Sequence, residues 1–113
     1  MVFTGSVETG IKVATAAAAN VKPAILELGG KSAAIVMPDA DLDNFMESVR
    51  WGIYFNAGQV CSAMSRVIAH EDIHDEIIDR CVALAEGLSV GPGINRTDFV
   101  ANMGAMVSDP QRD

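Results

Sequence analysis

The sequence predicts an α/β fold with parallel strand pairing, and two observations carry that prediction. Short apolar runs alternate with longer amphipathic ones, in the order strand, helix, strand, strand, helix, strand, helix. Alternation of this kind builds parallel sheets dressed with helices. The apolar runs are also nearly continuous, which suits strands buried on both faces. At 113 residues the chain holds one domain's worth of core at most.

Met1 to Thr4 is a short apolar start that ends in Gly5-Ser6, where Ser6 is a candidate N-cap. Val7 to Asn20 reads as helix, closed by Lys22-Pro23, because proline cannot continue a helix and disfavours helical backbone before it. Ala24 to Leu28 reads as a strand interrupted by one charge, Glu27, and stopped by Gly29-Gly30; Ser32 to Met37 reads as a second, stopped by Pro38. Asp39-Ala40-Asp41 offers caps for a helix from about Leu42 to Phe55, with Phe45, Val49, Gly52 and Ile53 on one face. Asn56 to Gln59 breaks it, and Val60 to Met64 is irregular. Arg66 to His70 is strand-like. Asp72 is placed to cap a helix over about Ile73 to Leu88, with Ile73, Ile77, Cys81, Leu84 and Leu88 on the buried stripe. Gly91-Pro92-Gly93 is a loop, the tail is weakly patterned, and Asp109-Pro110 opens another helix.

Composition narrows the class. Half the residues are hydrophobic, which excludes disorder driven by low hydrophobicity and high charge. Aromatics are only 5%, so the core rests on aliphatics, with Met as adaptable filling. A net charge of −7 with scattered Lys and Arg argues against nucleic-acid partners, since phosphate neutralisation needs clustered cations. No apolar run is long enough to span a bilayer, so no membrane partner is expected. The start lacks the basic and apolar regions of a signal peptide, and two cysteines are too few for a disulfide scaffold. A cytoplasmic location is therefore the expectation, and the Asn95-Arg96-Thr97 glycosylation sequon carries no weight.

Several familiar patterns fail. Gly29-Gly30-Lys31-Ser32 resembles the end of a phosphate-binding loop, but Ile25 stands where its first glycine belongs. Gly91 and Gly93 begin a dinucleotide fingerprint that Arg96 interrupts. His70 and His74 have a metal-friendly spacing, but a helix start between them separates their faces, so they read as surface histidines and no metal site is expected.

Three segments succeed together: Phe3-Thr4-Gly5-Ser6, Leu26-Glu27-Leu28-Gly29-Gly30-Lys31-Ser32, and Phe55-Asn56-Ala57-Gly58-Gln59-Val60-Cys61. In this order they resemble the aldehyde dehydrogenase superfamily. The Glu and Cys segments look like its two signature motifs, and the likeness extends to Asp39 to Asp43, Ser65 to Val67, and Val107 to Asp113. The resemblance implies part of the aldehyde dehydrogenase fold: residues 1–28 as the end of a Rossmann-like cofactor domain, joined to residues 29–113 as the start of the catalytic α/β domain. It implies a homo-oligomeric intact protein, NAD or NADP as cofactor, and an aldehyde as substrate.

Cys61 is then the nucleophile, forming a thiohemiacetal and later a thioester, and Glu27 the base that activates the hydrolytic water. Sulfur suits this role because it is strongly nucleophilic and leaves well. An ordinary thiol is only a few per cent ionised near neutral pH, so the site must lower its pKa or supply a base. Glu27 sits among apolar residues, and burial there raises a carboxylate toward useful basicity. The Cys61 backbone N–H is a candidate oxyanion donor. Gly5, Ser6, Glu27, Leu28 and Gly29 are the expected cofactor contacts: a helix N-terminus suits a pyrophosphate, and glycines permit close backbone approach. Val7 to Gly10 extend that lining.

The bland readings are an inert thiol at Cys61, a solvent-facing or Lys31-paired carboxylate at Glu27, and a plain helix cap at Ser6. Cys61 follows a Gly-Gln loop, where a filler gains nothing. Cys81 lies on an apolar stripe and reads as core, as do Trp51, Tyr54 and Phe55. Ala33 stands where the family often has proline. The family's oxyanion Asn, its ribose-binding Lys and its nicotinamide-ribose Glu find no counterpart, so the chain is expected to be a fragment without dehydrogenase activity alone. The alternative is a non-catalytic truncated piece acting through exposed interface; a third is cofactor-free ester hydrolysis by Cys61 and Glu27.

Overall fold

The computed structural model of the chain describes residues 1–92 and 102–112. They divide into two compact units, Met1–Gly30 and Lys31–Asp113. The Asn95-Arg96-Thr97 sequon and the Gly93 and Arg96 positions of the failed fingerprint lie outside the described residues.

The first unit is a strand–helix–strand element. Strand β1 (Val2–Thr4) pairs in parallel with β2 (Ile25–Glu27), in the register Val2 to Ile25, Phe3 to Leu26 and Thr4 to Glu27. Helix α1 (Val7–Ala19) makes the crossover, and the Ser6 hydroxyl caps it by accepting from the Thr9 N–H at 3.2 Å. Gly10 is buried, and a Cβ there would lie 2.7 Å from Leu28 Cδ2, so glycine lets the helix settle onto that leucine.

Pro23 is not what ends α1. The helix closes at Asn20, where the Val21 N–H bonds Ala18 O and the Lys22 N–H bonds Ala17 O, both at 3.0 Å. This is the paired closure of a helix C-terminus, and it requires left-handed backbone at residue 21. Glycine usually stands there; here Val21 does, at φ 52° and 93% exposed. A β-branched residue in that region is strained.

In the second unit, β3 (Ala33–Val36) pairs in parallel with β4 (Arg66–Ala69), from Ala33 opposite Arg66 to Val36 opposite Ala69. The connection carries α2 (Leu42–Val49), capped by the Asp41 carboxylate, which accepts from the N–H groups of Asp43 and Asn44 at 3.1 Å. Helix α3 (His74–Glu86) packs against α2, and Arg80 ties them by donating to Asp43 at 2.6 Å and to Glu76 at 2.9 Å. The core is Val36 from β3, Val49 from α2, Ile77 from α3 and Ala63 from the turn before β4.

Three expectations change. The helix drawn to Phe55 leaves α-geometry after Val49: Arg50–Tyr54 is a π-helical turn and Phe55–Gly58 a 3₁₀ turn. The helix drawn from Asp72 starts at His74 and ends at Glu86 with Gly87 as its cap. Before it, Glu71–Ile73 forms a 3₁₀ turn capped by His70, whose Nδ1 accepts the Asp72 N–H at 3.2 Å; Asp72 is thus the capped residue. The strands are not buried on both faces. Exposure alternates along each, leaving Ile25, Ile35 and Ile68 more than half exposed, because each pair has two strands and is lined on one side. Finally, the tail contributes β6 (Asn102–Met103), parallel to β5 (Ser89–Val90), and a single helical turn, α4 (Asp109–Arg112). No helix among the described residues is long and apolar enough to cross a membrane.

Replacing Val21 by Gly relieves the strained closure and is expected to stabilise the chain by about 1 kcal/mol. Urea denaturation of the two proteins measures the gain; a destabilised variant contradicts the account of how α1 ends.

Candidate active site

The candidate nucleophile follows the interrupted helix. In an α-helix the Gly52 carbonyl would accept from the amide of residue 56. Here it accepts the Met64 N–H instead, at 2.8 Å. A Cβ at 52 would stand 2.3 Å from Met64 Cε, so glycine lets the Met64 side chain lie against this backbone. Gly52 lies within the π-turn, a deformation common beside functional residues. The backbone then enters left-handed space at Asn56 (φ 52°), Ala57 (φ 56°) and Gly58 (φ 75°). Left-handed backbone suits Asn and Gly, while Ala57 carries strain of the kind stored at functional sites.

Two reciprocal bonds hold this segment. Asn56 Nδ2 donates to Gln59 O at 3.1 Å, and Gln59 Nε2 donates to Asn56 O at 3.3 Å. Cys61 is the second residue of the turn that follows, closed by the Ala63 N–H on Val60 O at 3.0 Å. Buried Ala63 and the Met64 bond anchor its far side. The Cys61 side chain is exposed and free, and its amide meets no acceptor among the described residues. A reachable sulfur beside an unengaged N–H is what an acyl-transfer nucleophile needs.

Cys81 differs. It lines an apolar groove of about 290 Å³ with Val49, Ile53, Tyr54, Val67 and Ile77. Burial pushes its thiol above the usual cysteine range. Burial, and secondarily the nearby Cys81, also pushes the Tyr54 phenol up. Trp51 and Phe55 are not core: both are exposed, with ring centroids 6.1 Å apart at a 45° tilt. They lie four residues apart on a turn whose inward face belongs to Val49 and Ile53.

In the first unit, Glu27 ends β2. Its backbone carbonyl accepts the Gly5 N–H at 3.0 Å, so one bond joins the Glu segment to the Gly-Ser turn. Its side chain is exposed, contrary to the burial its apolar neighbours suggest. Strand alternation is the reason: Phe3 and Leu26 turn toward α1, and Thr4 and Glu27 turn away. No hydrogen bond or ion pair holds the carboxylate within its own unit. Of the expected cofactor contacts, the Gly5 amide is engaged by Glu27 and the Ser6 hydroxyl by Thr9. What remains for a phosphate is the Val7 and Glu8 amides, since the Thr9 and Gly10 amides are taken by Ser6. Open space beside Gly29 leaves the backbone there approachable.

In the sequence Gln59 reads as part of a helix break and of the Cys motif, with no role of its own. The structure adds a second engagement: its Oε1 accepts the Val107 N–H at 2.9 Å. Lys31, in the Glu motif's tail, is held through its carbonyl by Arg66 Nε at 3.2 Å, which connects that motif to the Ser65-Arg66-Val67 segment.

Comparison with known proteins places these features. An aldehyde dehydrogenase from Leishmania tarentolae, described as mitochondrial, is 47% identical over 112 residues, which is 98% of this chain and 22% of that protein. An NAD-dependent aldehyde dehydrogenase from Sinorhizobium meliloti superposes with a TM-score of 0.86 at 38% identity, over 98% of this chain and 22% of that one. A betaine aldehyde dehydrogenase from Staphylococcus aureus, solved with NAD+, superposes with a TM-score of 0.88 at 37% identity, over 98% of this chain and 21% of that one. The chain thus spans about a fifth of the length of these relatives. The model of the aldehyde dehydrogenase family matches residues 1–113, and the chain belongs to that family.

Proposed function

We propose that this chain carries the nucleophile and the base of an NAD(P)-dependent oxidation of an aldehyde to a carboxylic acid. The observation that carries the reading is the exposed Cys61 sulfur, on a turn fixed at both ends and beside an unengaged amide. The Cys61 thiolate adds to the aldehyde carbon, and the resulting oxyanion is stabilised by the Cys61 N–H. When bound, the nicotinamide supplies the hydride acceptor for that carbon. A thioester is left on Cys61. The Glu27 carboxylate takes a proton from water as the water attacks the thioester, the carbon–sulfur bond breaks, and the acid leaves with Cys61 restored.

The residues present fit a dinucleotide in part. The Val7 and Glu8 amides at the start of α1 suit its pyrophosphate, and the approachable backbone at Gly29, beside Leu28, suits its nicotinamide end. Both thiols are free, which fits a reducing cytosol. Relatives that use NAD+ favour that cofactor here. A second reading, a non-catalytic piece that acts through bare apolar surface, draws on the exposure of Ile25, Ile35 and Ile68.

The discriminating experiment is acylation by 4-nitrophenyl acetate, in which the Cys61 sulfur displaces nitrophenolate and keeps the acetyl group. Wild type is expected to release nitrophenolate and carry the acetyl on Cys61 by mass spectrometry, and Cys61→Ala to do neither. Glu27→Gln is expected to acylate normally and to lose the acetyl group roughly 10² times more slowly. Equal release by wild type and Cys61→Ala leaves only the non-catalytic reading.

The 113 residues alone are expected to form no NADH from an aldehyde and NAD+, because they make up a fifth of a relative's length; absorbance at the nicotinamide band reports it. Cys81 is expected to lag Cys61 in alkylation by iodoacetamide. A raised thiol pKa leaves less thiolate at a given pH, so Cys81 labelling rises only as the solution becomes more alkaline than an ordinary thiol requires. Site-resolved labelling across pH measures the order, and faster labelling of Cys81 contradicts its burial.

A further inference from the structure

We infer that Gln59 is a positioning residue, a clamp that locks the nucleophile turn to the Val107 segment. The inference rests on the proposed role of Cys61 and adds to it how the turn is held. The Gln59 amide works at both ends: Nε2 donates to Asn56 O at 3.3 Å and Oε1 accepts the Val107 N–H at 2.9 Å. The backbone of Gln59 is engaged as well, its N–H on Asn56 O at 3.1 Å and its carbonyl on Asn56 Nδ2 at 3.1 Å.

Three facts make this more than a stray contact. The left-handed run Asn56 to Gly58 contains a strained alanine, so it persists only where its surroundings over-determine it. The turn formed by Phe55–Gly58 lies against β6, the strand just before the Val107 segment. And β6 is itself anchored by pairing with β5, with the Gly91 N–H on Met103 O at 3.0 Å. Gln59 therefore joins a strained turn to a paired strand four residues from its contact. Cys61 lies two residues beyond Gln59, so the clamp sets where the Cys61 amide points. An apolar side chain at 59 forfeits both bonds; a carboxylate keeps the acceptor for Val107 and loses the donor to Asn56.

The test uses the full chain with Cys81→Ala, so that Cys61 is its one thiol. Two reactions are followed: acylation by 4-nitrophenyl acetate, which develops an oxyanion, and alkylation by iodoacetamide, which does not. Gln59→Met is expected to lower the acylation rate about tenfold relative to alkylation. A merely structural loss would lower both together. Val107→Pro, which removes the donor, is expected to lower the same ratio, and the double variant to show no further loss, as coupled partners do. Gln59→Glu is expected to recover part of the ratio. Hydrogen exchange adds a readout that needs no catalysis: the Val107 amide loses protection in Gln59→Met while the Ile77 amide keeps it.

Additive effects of Gln59→Met and Val107→Pro, or unchanged Val107 protection, overturn the clamp. If wild type fails to acylate at all while Val107 exchange still responds to Gln59→Met, the proposed function fails and the clamp stands. If wild type acylates and Gln59→Met leaves both the ratio and the exchange unchanged, the clamp alone fails.

Discussion

The hydrogen bond from the Met64 amide to the Gly52 carbonyl is the constraint on which the Cys61-bearing segment depends. It takes an acceptor that a helix continuing past Phe55 would use, at a glycine against which the end of the Met64 side chain lies. Once that acceptor is diverted, the helix cannot run on past Phe55 in α-geometry. The left-handed residues and the turn at Cys61 follow in order. Residues 53–63 are thus a loop tied at its neck by one backbone bond and along its length by the Asn56–Gln59 exchange. Such loops position reactive groups without burying them, because the rigidity comes from backbone bonding.

The first unit applies the same economy to another pair of motifs. Parallel pairing places Thr4 opposite Glu27, and the bond from Gly5 to the Glu27 carbonyl extends that ladder by one residue. The Gly-Ser turn and the Glu segment, far apart in sequence, become one structural feature. The crossover helix contributes the Ser6 cap and a glycine at position 10 that seats Leu28. The same alternation that packs Phe3 and Leu26 inward turns Glu27 outward, so its exposure is dictated by strand geometry and owes nothing to the apolar character of its neighbours.

Much of this was legible in the chain itself. Ser6 and Asp41 are caps because their short polar side chains reach orphan amides, a local effect that sequence reveals. The separation of Cys61 from Cys81 was legible too, since a Gly-Gln break and an apolar helical stripe differ in pattern. The faces of the strands were not: continuous apolar runs suggested two buried faces, yet Ile35 and Ile68 stand exposed on a two-stranded pair. Nor was the helix cap at His70, because an imidazole nitrogen accepting a backbone N–H depends on the local turn.

The sequence by itself determined the family, the order of the main elements and the parallel pairing, because these are encoded in motifs and periodicities a few residues long. Tertiary structure alone decided what the Gly52 carbonyl accepts, which face Glu27 occupies and what Gln59 holds. Each of those turns on a partner distant in the chain: Met64 for Gly52, the β1 strand for Glu27, and Val107 for Gln59. A local pattern carries no record of a hydrogen bond closed across dozens of residues, since the bond exists only once folding has brought its two ends together.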